Sequence, residues 1–363
     1  MRQVWITRHG GPEVLEVREA PDPHAGSGAV RIAVTAAGVN FADVAARAGL
    51  YPDAPKPPMV VGYEVSGVID EIGAGVEGLS EGDGVMARTR SGGYSSSVVV
   101  PGERVQPVPD DLDLRTAAGV QVTYLTSYLM LNRLGSVRPG DWVLIHAAAG
   151  GVGLAALQLA KHLGALTIGT ASAAKHPRLG ELGLDHAIDY RSQDFETEVM
   201  RITEGRGVDV ALDAVGGSSF RKSYRCLAPM GRLFCFGLSS GSARSRRAAW
   251  RTLPRALATT PVFHPLRLMN ANKGVFGVNM GRLADDTMLA GALDELVAMW
   301  AKGEIEPIID STFPFDEAGD AHDHLQQARN VGKVLLVPEA EVGAKVAPLG
   351  DPEGGACGRR GRR

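Results

Sequence analysis

The sequence has few of the features that secreted or membrane-spanning proteins need. It contains three cysteines in 363 residues, of which Cys226 and Cys235 lie in apolar segments and Cys357 lies in a glycine- and arginine-rich tail. No apolar run is long enough to span a bilayer, and no charged segment followed by an apolar one opens the chain as an export signal does. We therefore expect a cytoplasmic protein without disulfides.

The sequence also lacks a strong excess of charge of either sign. The 38 lysines and arginines nearly balance the 41 acidic residues, the net charge is −3, and no basic segment is interleaved with aromatic residues. These features argue against nucleic acid as a partner. The length exceeds that of one average domain, so two domains are expected.

What the sequence does contain is a glycine-rich turn between an apolar strand and a helix. Residues 142–146 form a short apolar run, and the apolar residues that follow the turn have helical spacing. The N–H groups at the start of such a helix bind phosphate. Gly150 and Gly153 fit the dinucleotide-binding fingerprint, whereas Ala148 stands where its first glycine would be.

No acidic residue follows the next predicted strand, at 166–170. An NAD site needs Asp or Glu there for the ribose hydroxyls, but the chain reads IGTAS and continues to Lys175, His176 and Arg178. Hydroxyl groups and cations suit the additional phosphate of NADPH, so we predict NADPH as the cofactor. The alternative is that Lys175 and Arg178 only solvate the start of a helix.

Short β-like runs separated by turn residues dominate residues 4–100 and predict an irregular β-barrel or sandwich. The loop 38–58 interrupts them, and a loop of this length is usually functional. Helical periodicity begins at 114–134, and we place the domain boundary near Val120.

Strands and helices alternate after that boundary and predict an α/β fold with a doubly wound parallel sheet, whose ligand site lies beyond the carboxyl ends of its strands. The segments after two such ends, 213–217 and 236–240, are expected to contact the cofactor. A strand over 274–280 and a helix over 285–300 end this unit. The chain then returns to β-like sequence over 305–338 and completes the first domain.

Residues 241–272 do not fit a regular connection within such a sheet. Arginines recur on one side of an amphipathic helix that Pro254 should disturb, at Arg244, Arg247, Arg251 and Arg255. The favoured interpretation is a solvated helical insert, and contact with a membrane surface or an anionic ligand is the alternative.

Four separated segments resemble one known family, in the order in which that family has them. They are residues 40–51 (NFADVAARAGLY), 146–153 (HAAAGGVG), 169–176 (GTASAAKH) and 330–338 (NVGKVLLVP). The sequence resembles the vesicle amine transport protein-like group, within the zinc-free quinone oxidoreductase (ζ-crystallin-like) branch of the medium-chain dehydrogenase/reductase superfamily.

This resemblance implies a GroES-like β-barrel catalytic domain, residues 1–120 and 303–340, and a Rossmann NADPH-binding domain, residues 121–302. We expect a disordered tail at 341–363. The resemblance also implies a homodimer formed by edge pairing of Rossmann strands. We assign that edge to 274–280, because an exposed apolar edge strand favours such pairing.

The ligands of the superfamily's zinc enzymes are missing. At the matching positions stand Asn40, Tyr63, Glu64 and Val122, of which only Glu64 could bind a metal, and no cysteine precedes Cys226. We therefore predict no metal site. Without a metal an alcohol is hard to polarise, and we predict hydride transfer to a quinone or an α,β-unsaturated carbonyl, in which the developing charge is delocalised.

Three residues are candidates for the group that acts on this acceptor. Tyr51, in the family's active-site tyrosine region, is the first choice as hydrogen-bond donor, Asn40 is the second, and Tyr63 is the third. Each tyrosine could instead be a buried ring with a satisfied hydroxyl. The predicted cofactor contacts are Thr123, Ala148, Gly150, Gly151, Val152, Gly153, Thr170, Ser172, Lys175, Tyr190, Val215, Phe236, Gly237, Phe276, Val278 and Lys333.

Three other functions remain open. Residues 237–241 match the G-x-S-x-G pattern of hydrolases around Ser239, with His264, His322 or His324 as a partner, although the end of a Rossmann strand already explains that turn. A trans-2-enoyl-thioester reductase would share the HAAAGGVG type of turn. A membrane-surface or regulatory NADPH-binding protein without turnover is the non-enzyme alternative.

Overall fold

The computed structural model describes residues 1–241, 246–283 and 286–339, with the backbone alone at 246–251 and 286–287. The predicted arginine-rich side of the helix therefore lies mostly outside the described residues, as does the tail predicted at 341–363. None of the described helices has both the length and the apolar character to cross a membrane.

The first part of the chain folds into short strands and two helices. Its elements are β1 (Arg2–Ile6), β2 (Leu15–Glu19), β3 (Ala29–Val39), α1 (Phe41–Ala48), β4 (Met59–Val60), β5 (Glu64–Ile72), β6 (Gly84–Arg88), β7 (Ser97–Pro101), β8 (Val105–Pro107) and α2 (Leu114–Ala117). Strands β2, β1 and β4 form one antiparallel sheet, and β3, β5, β6 and β8 belong to a second, in which β7 also pairs with β3. Apolar side chains from both sheets share one core.

Helix α1 lies where the sequence predicts only a loop, at 38–58. Asn40 precedes its first turn, the Asp43 carboxylate accepts the Asn40 N–H at 2.7 Å, and Gly49 ends the helix with a left-handed φ of 77°. The helix has only eight residues, too few for a clear apolar repeat, although its N-x-x-D start has the form of a capping box. The prediction of an uninterrupted loop is therefore wrong.

The second part is a parallel sheet between two layers of helices. Its elements are α3 (Gln121–Tyr128), β9 (Trp142–Ile145), α4 (Gly151–His162), β10 (Leu166–Ala171), α5 (His176–Glu181), β11 (His186–Asp189), α6 (Phe195–Ile202), β12 (Val208–Asp213), α7 (Ser218–Arg225), β13 (Leu227–Cys235), α8 (Arg246–Thr259), α9 (Pro265–Ala271), β14 (Gly274–Gly277) and α10 (Asp286–Ala301). Val143 and Ile145 pack in one core with α3, α4 and α10, and Leu144 packs in another with α6 and α7. Alternate residues of β9 are thus buried on opposite faces.

The strand order of this sheet is β11-β10-β9-β12-β13-β14, with every neighbouring pair parallel. The chain winds outward from β9 in both directions, so the order reverses between β9 and β12. This arrangement confirms the predicted doubly wound sheet, and it places a crevice for a ligand at the carboxyl ends of the central strands.

Three element boundaries differ from the sequence predictions. The sequence predicts a strand only over 233–236, whereas β13 begins at Leu227. Met230 takes a left-handed φ of 68° within this bulged strand, and its Pro and Gly suggest a turn. Strand β14 is shorter than the predicted 274–280. Helix α8 continues through Pro254, which therefore does not end it.

The chain finally returns to the sheet in which it began. The last elements are β15 (Ile309–Pro314), α11 (Ala318–Gln326) and β16 (Lys333–Val337). Strand β16 pairs antiparallel with β3, with Val334 opposite Val39, and β15 runs parallel to β16. The start of β16 is therefore brought next to the segment between β3 and α1.

Candidate active site

The glycine turn between β9 and α4 is shaped by contacts that leave no room for side chains. A Cβ at Gly153 would stand 2.4 Å from the Ala147 carbonyl oxygen, and one at Gly151 would stand 2.9 Å from Thr123 Cγ2. Helix α4 begins at Gly151, and its first N–H groups have no acceptor within the helix. The turn therefore fits a phosphate group at the start of α4.

Ala148, the departure from the fingerprint, is accommodated by a glycine on the neighbouring strand. Its side chain is buried, and its N–H donates to the Thr170 carbonyl at 3.1 Å. A Cβ at Gly169 would stand 2.8 Å from the Ala148 Cβ. Gly169 thus provides the space that a glycine at position 148 would otherwise provide.

Lys175, predicted to bind the additional phosphate of NADPH, has partners in the returning segment of the chain. Its ammonium donates to the carbonyls of Ala328 and Asn330 at 2.7 and 2.6 Å. Burial lowers the pKa of Lys175, and the nearby Asp310 carboxylate opposes that shift. An ammonium has three N–H donors, so one remains for a phosphate.

The other residues predicted at this end of the site lie at the ends of β10 and β11. Ser172 follows β10, and Tyr190 is exposed after β11 with the Arg191 guanidinium 5.8 Å from its ring centre. Sequence reasoning missed Arg191, although a cation directly after the third strand is a signal for anion binding. Thr170, by contrast, is buried with its hydroxyl 3.0 Å from His146 Nδ1.

Asn40, Glu64 and Lys333 form a closed polar network between the two parts of the chain. The Lys333 ammonium donates to Glu64 Oε1 at 2.6 Å and to Asn40 Oδ1 at 2.7 Å. Asn40 Nδ2 donates to Glu64 Oε1 at 2.9 Å and to the Gly38 carbonyl at 3.3 Å. The Val122 N–H donates to Glu64 Oε2 at 2.7 Å. Both N–H groups of the Asn40 amide are used within the protein, so in this arrangement neither is left for a substrate.

This network lies beside the glycine turn. The Gly332 N–H donates to the Ala149 carbonyl at 3.0 Å, and Gly150 and Gly332 form an isolated parallel bridge. A Cβ at Gly151 would stand 3.5 Å from Lys333 Cδ. Lys333 is 5% exposed, and its third N–H is available to a phosphate or a ribose hydroxyl bound at the turn.

The described residues contain no group of three or more His, Cys, Asp and Glu side chains placed to hold a metal ion. Glu64, the one candidate ligand at the positions that match the zinc enzymes, is fully buried and paired with Lys333. A metal cation there would have to share a carboxylate that an ammonium already neutralises.

Tyr51 and Tyr63 pack against each other. Their ring centres are 5.7 Å apart in an edge-to-face arrangement, and burial raises the pKa of both hydroxyls. The Tyr63 hydroxyl is buried and has no hydrogen-bond partner in the part of the chain that the structure describes. The Tyr51 hydroxyl lies 3.2 Å from where a Cβ of Gly281 would stand, opposite the segment after β14.

Asp43 is a buried carboxylic acid that sequence reasoning missed. It accepts the N–H groups of Asn40 at 2.7 Å and Gly62 at 2.9 Å, and so joins the start of α1 to the segment that carries Tyr63. Burial raises the pKa of Asp43 to about 7, although these N–H groups act in the opposite direction. The capping-box spacing from Asn40 was the signal that could have found it.

The remaining predicted cofactor contacts follow the last three strands of the parallel sheet. They are Val215 after β12, Phe236 and Gly237 after β13, and Phe276 and Val278 in and after β14. The Val278 N–H donates to the Cys235 carbonyl at 3.0 Å, which extends the sheet beyond β14. The Phe276 ring stacks on Phe234 with centres 5.3 Å apart, so one of its faces packs on the sheet.

The hydrolase pattern at Ser239 finds no histidine partner among the described residues. His322 Nε2 lies 3.1 Å from the Tyr94 hydroxyl, and His324 Nε2 lies 2.7 Å from Asp310 Oδ2. His264 caps α9, where its Nδ1 accepts the N–H of Leu266 at 3.3 Å. The segment 237–241 is thus explained by its place at the end of β13.

Comparison with known proteins agrees with this arrangement. Residues 26–110 match the family described as alcohol dehydrogenase GroES-like domain, and residues 182–336 match that described as zinc-binding dehydrogenase. The human synaptic vesicle membrane protein VAT-1 homolog is 38% identical over 348 residues, which cover 94% of this chain and 87% of the human protein. A 2-haloacrylate reductase from a Burkholderia species is 35% identical over 348 residues, which cover 92% of this chain and 98% of that protein.

Solved structures share the fold over most of the chain. Escherichia coli quinone oxidoreductase complexed with NADPH superposes with a TM-score of 0.83 at 31% identity, covering 93% of this chain and 100% of that one. CurK enoyl reductase superposes with a TM-score of 0.80 at 29% identity, covering 93% and 98%. The chain therefore belongs to the medium-chain dehydrogenase/reductase superfamily, in the branch of the ζ-crystallin-like quinone oxidoreductases and the VAT-1 proteins.

Proposed function

We propose that this protein is an NADPH-dependent, zinc-independent reductase that transfers hydride to a quinone or an α,β-unsaturated carbonyl. The observation that carries the proposal is the position of Lys333, which pairs with buried Glu64 beside the glycine turn. A fixed ammonium neutralises the one candidate metal ligand and still has an N–H for a cofactor. The E. coli relative, described as complexed with NADPH, supports the same choice of cofactor.

The residues present fit a dinucleotide. The N–H groups at the start of α4 would hold its pyrophosphate, and Lys175 with Tyr190 and Arg191 would hold the additional phosphate. When bound, NADPH supplies the hydride. The surrounding turns would exclude water and align the acceptor.

A tyrosine hydroxyl would stabilise the oxygen on which negative charge develops. Burial raises the pKa of Tyr51 and Tyr63, so both keep their protons at neutral pH and can donate a hydrogen bond. Tyr63 has no partner for its hydroxyl among the described residues, and the Tyr51 hydroxyl lies close to Gly281. Tyr51→Phe and Tyr63→Phe, compared at saturating NADPH, would show which hydroxyl supports kcat.

The direct test is the oxidation of NADPH by the purified protein with a panel of quinones, enones and 2-haloacrylates. We expect turnover that survives treatment with a strong zinc chelator and falls when NADH replaces NADPH. Absence of turnover across the panel would contradict the proposed reaction, and loss of turnover after chelation would contradict zinc independence alone.

A trans-2-enoyl-thioester reductase is the second candidate, because a chain described as an enoyl reductase shares the fold over 93% of this chain. It predicts a higher kcat/KM for enoyl-thioesters than for the corresponding free enones. Of the predicted arginine stripe, Arg244, Arg247 and Arg251 lie outside the described side chains, so the ratio of kcat/KM for the two substrates decides this case.

We also propose a homodimer formed along β14. This strand is at one end of the parallel sheet, with β13 as its sole neighbour in the described sheet. The adjacent α8–α9 region exposes Val262, at 91%, together with Leu266 and Met269. A second copy would cover these apolar side chains and pair with the free edge. Sedimentation equilibrium of the protein and of a Met269→Lys variant tests this arrangement.

A membrane-surface protein that binds NADPH without turnover is the non-enzyme alternative. The name of the human relative, a synaptic vesicle membrane protein, favours it, and a cytoplasmic location stays a prediction from the sequence. Sedimentation with anionic liposomes at low salt, combined with NADPH binding but no reductase activity, would support this alternative.

A further inference from the structure

A buried histidine connects the ends of three neighbouring strands, and the proposed reaction does not use it. His146 directly follows β9 and is 3% exposed. Its Nδ1 lies 3.0 Å from Thr170 Oγ1 on β10, and its Nε2 lies 2.9 Å from Ser223 Oγ on α7. The Ser223 hydroxyl lies 2.7 Å from Asp213 Oδ2, at the end of β12. Strands β10, β9 and β12 are adjacent, so one imidazole spans the edge of the sheet.

Asp213 is saturated with donors. Its Oδ1 accepts the N–H groups of Val215 at 2.8 Å and Gly216 at 3.1 Å, and its Oδ2 accepts the hydroxyls of Ser219 and Ser223, both at 2.7 Å. The carboxylate thereby fixes the turn 213–217, one of the two strand ends expected to contact the cofactor. A carboxylate can only accept hydrogen bonds, so the Ser223 hydroxyl is the donor to Asp213 Oδ2.

The direction of this hydrogen bond determines where the protons of His146 and Thr170 lie. Since the Ser223 hydroxyl donates to Asp213, its oxygen must accept the Nε2–H of His146. Nδ1 is then the unprotonated nitrogen and accepts the hydroxyl proton of Thr170. The Thr170 oxygen is left with lone pairs only, and it has no proton to offer to a phosphate oxygen.

The surroundings of His146 agree with a neutral ring. Burial lowers its pKa, against a smaller opposing effect of Asp213. The edge-to-face contact with Phe195, at 4.5 Å between ring centres, adds an apolar wall. These surroundings hold the imidazole uncharged at neutral pH.

We propose that His146, as the Nε2–H tautomer, is a positioning residue that fixes the glycine turn and the 213–217 turn relative to each other for cofactor binding. Thr170 contributes to the site through His146 and not as a ligand of the additional phosphate, contrary to its sequence-based assignment. The inference rests on the proposed function, because it takes these two turns to be the ones that bind NADPH.

The discriminating variant is Thr170→Val, which keeps the shape of the side chain and removes its hydroxyl. Direct fluorescence titration should show the dissociation constants of NADPH and NADH rising by the same factor, several-fold, with their ratio unchanged. Lys175→Glu, titrated in parallel, should change that ratio. A selective loss of NADPH affinity in Thr170→Val would overturn the proposal, as would affinities equal to those of the wild-type protein.

Substitutions of His146 itself also test the proposal that this side chain positions the two turns. His146→Ala should weaken both nucleotides by about tenfold, the effect of losing one to two buried hydrogen bonds. His146→Gln should recover part of that loss, because an amide can donate to Ser223 while its carbonyl accepts from Thr170. Equal affinities of the Ala and Gln variants would contradict the proposal.

The tautomer itself can be observed without nucleotide, in the wild-type protein labelled with ¹⁵N-histidine. We expect the histidine signal that disappears in His146→Gln to be that of a neutral ring with its proton on Nε2. An Nδ1–H tautomer or an imidazolium at neutral pH would refute the proton assignment, even if His146→Ala does not fold. If the wild-type protein binds neither nucleotide, the proposed function fails while the tautomer remains as assigned.

Discussion

Removing the Lys333 ammonium should destabilise the protein by leaving a buried charge without its partner. Lys333→Met keeps most of the apolar side chain, but it leaves the fully buried Glu64 carboxylate without the cation that lies 2.6 Å away. Breaking such a pair costs about 3–5 kcal/mol. Asn40 and Val122 still donate to Glu64, so we expect a loss of unfolding free energy near the lower value, about 3 kcal/mol.

The double variant Glu64→Gln, Lys333→Met separates this effect from packing. It removes both charges, so most of the lost stability should return, with a coupling free energy of about 2 kcal/mol between the two sites. Thermal and urea unfolding without nucleotide measure it, since bound NADPH would add its own stabilisation. For the single variant we expect Tm to fall by about 4 °C. An unchanged free energy of unfolding in Lys333→Met would refute the reasoning. So would a double variant whose loss of unfolding free energy equals the sum of the losses in the two single variants.

Three further outcomes are expected. Lys175→Glu should reduce the preference for NADPH over NADH, measured as a ratio of kcat/KM values; an unchanged ratio would show that this lysine does not bind the additional phosphate. Gly153→Ala should abolish nucleotide binding and destabilise the fold by about 1–3 kcal/mol, because its Cβ would stand 2.4 Å from the Ala147 carbonyl oxygen. The control is Gly180→Ala, which has open space around its Cβ and should fold at least as stably as the wild-type protein. Because burial raises the pKa of Asp43 from 3.8 to about 7 in the folded protein, its contribution to stability is complete below the lower value and is lost as pH rises through the higher one. The stability of Asp43→Asn relative to wild type, from urea unfolding, should therefore increase between pH 4 and 7, and a constant difference would count against a protonated Asp43.

The parallel sheet could be predicted because its signals are local. Each strand is a short apolar run, each helix has its own spacing, and the glycine turn joins one of each. Helix α1 escaped prediction because eight residues give too little periodicity. The bulge at Met230 made one strand look like a turn followed by a strand.

The polar networks of the site could not be predicted from the residue pattern. Asn40 lies 24 positions from Glu64 and 293 from Lys333, and no spacing rule connects such distant residues. The carbonyls that hold Lys175 are 153 and 155 positions away. Sequence reasoning could therefore name most of these side chains, but it could not show which partners their polar atoms have.

In the dinucleotide-binding fingerprint, the space usually provided by a glycine in the turn can be provided by a glycine on the neighbouring strand. Ala148 replaces a glycine in the turn, and Gly169 on β10 supplies the missing space. A motif defined by the spacing of glycines in one segment does not detect this exchange. Pairs of facing positions in adjacent strands are the more informative unit.

The late position of β16 in the chain has a consequence for biosynthesis. Asn40 and Glu64 leave the ribosome long before Lys333, which is supplied by the last strand of the described chain. Throughout most of translation the carboxylate has no counterion, and β3 lacks the neighbour that β16 later becomes. The network around Glu64 can therefore be completed only after β16 has been synthesised, so this site assembles late in translation.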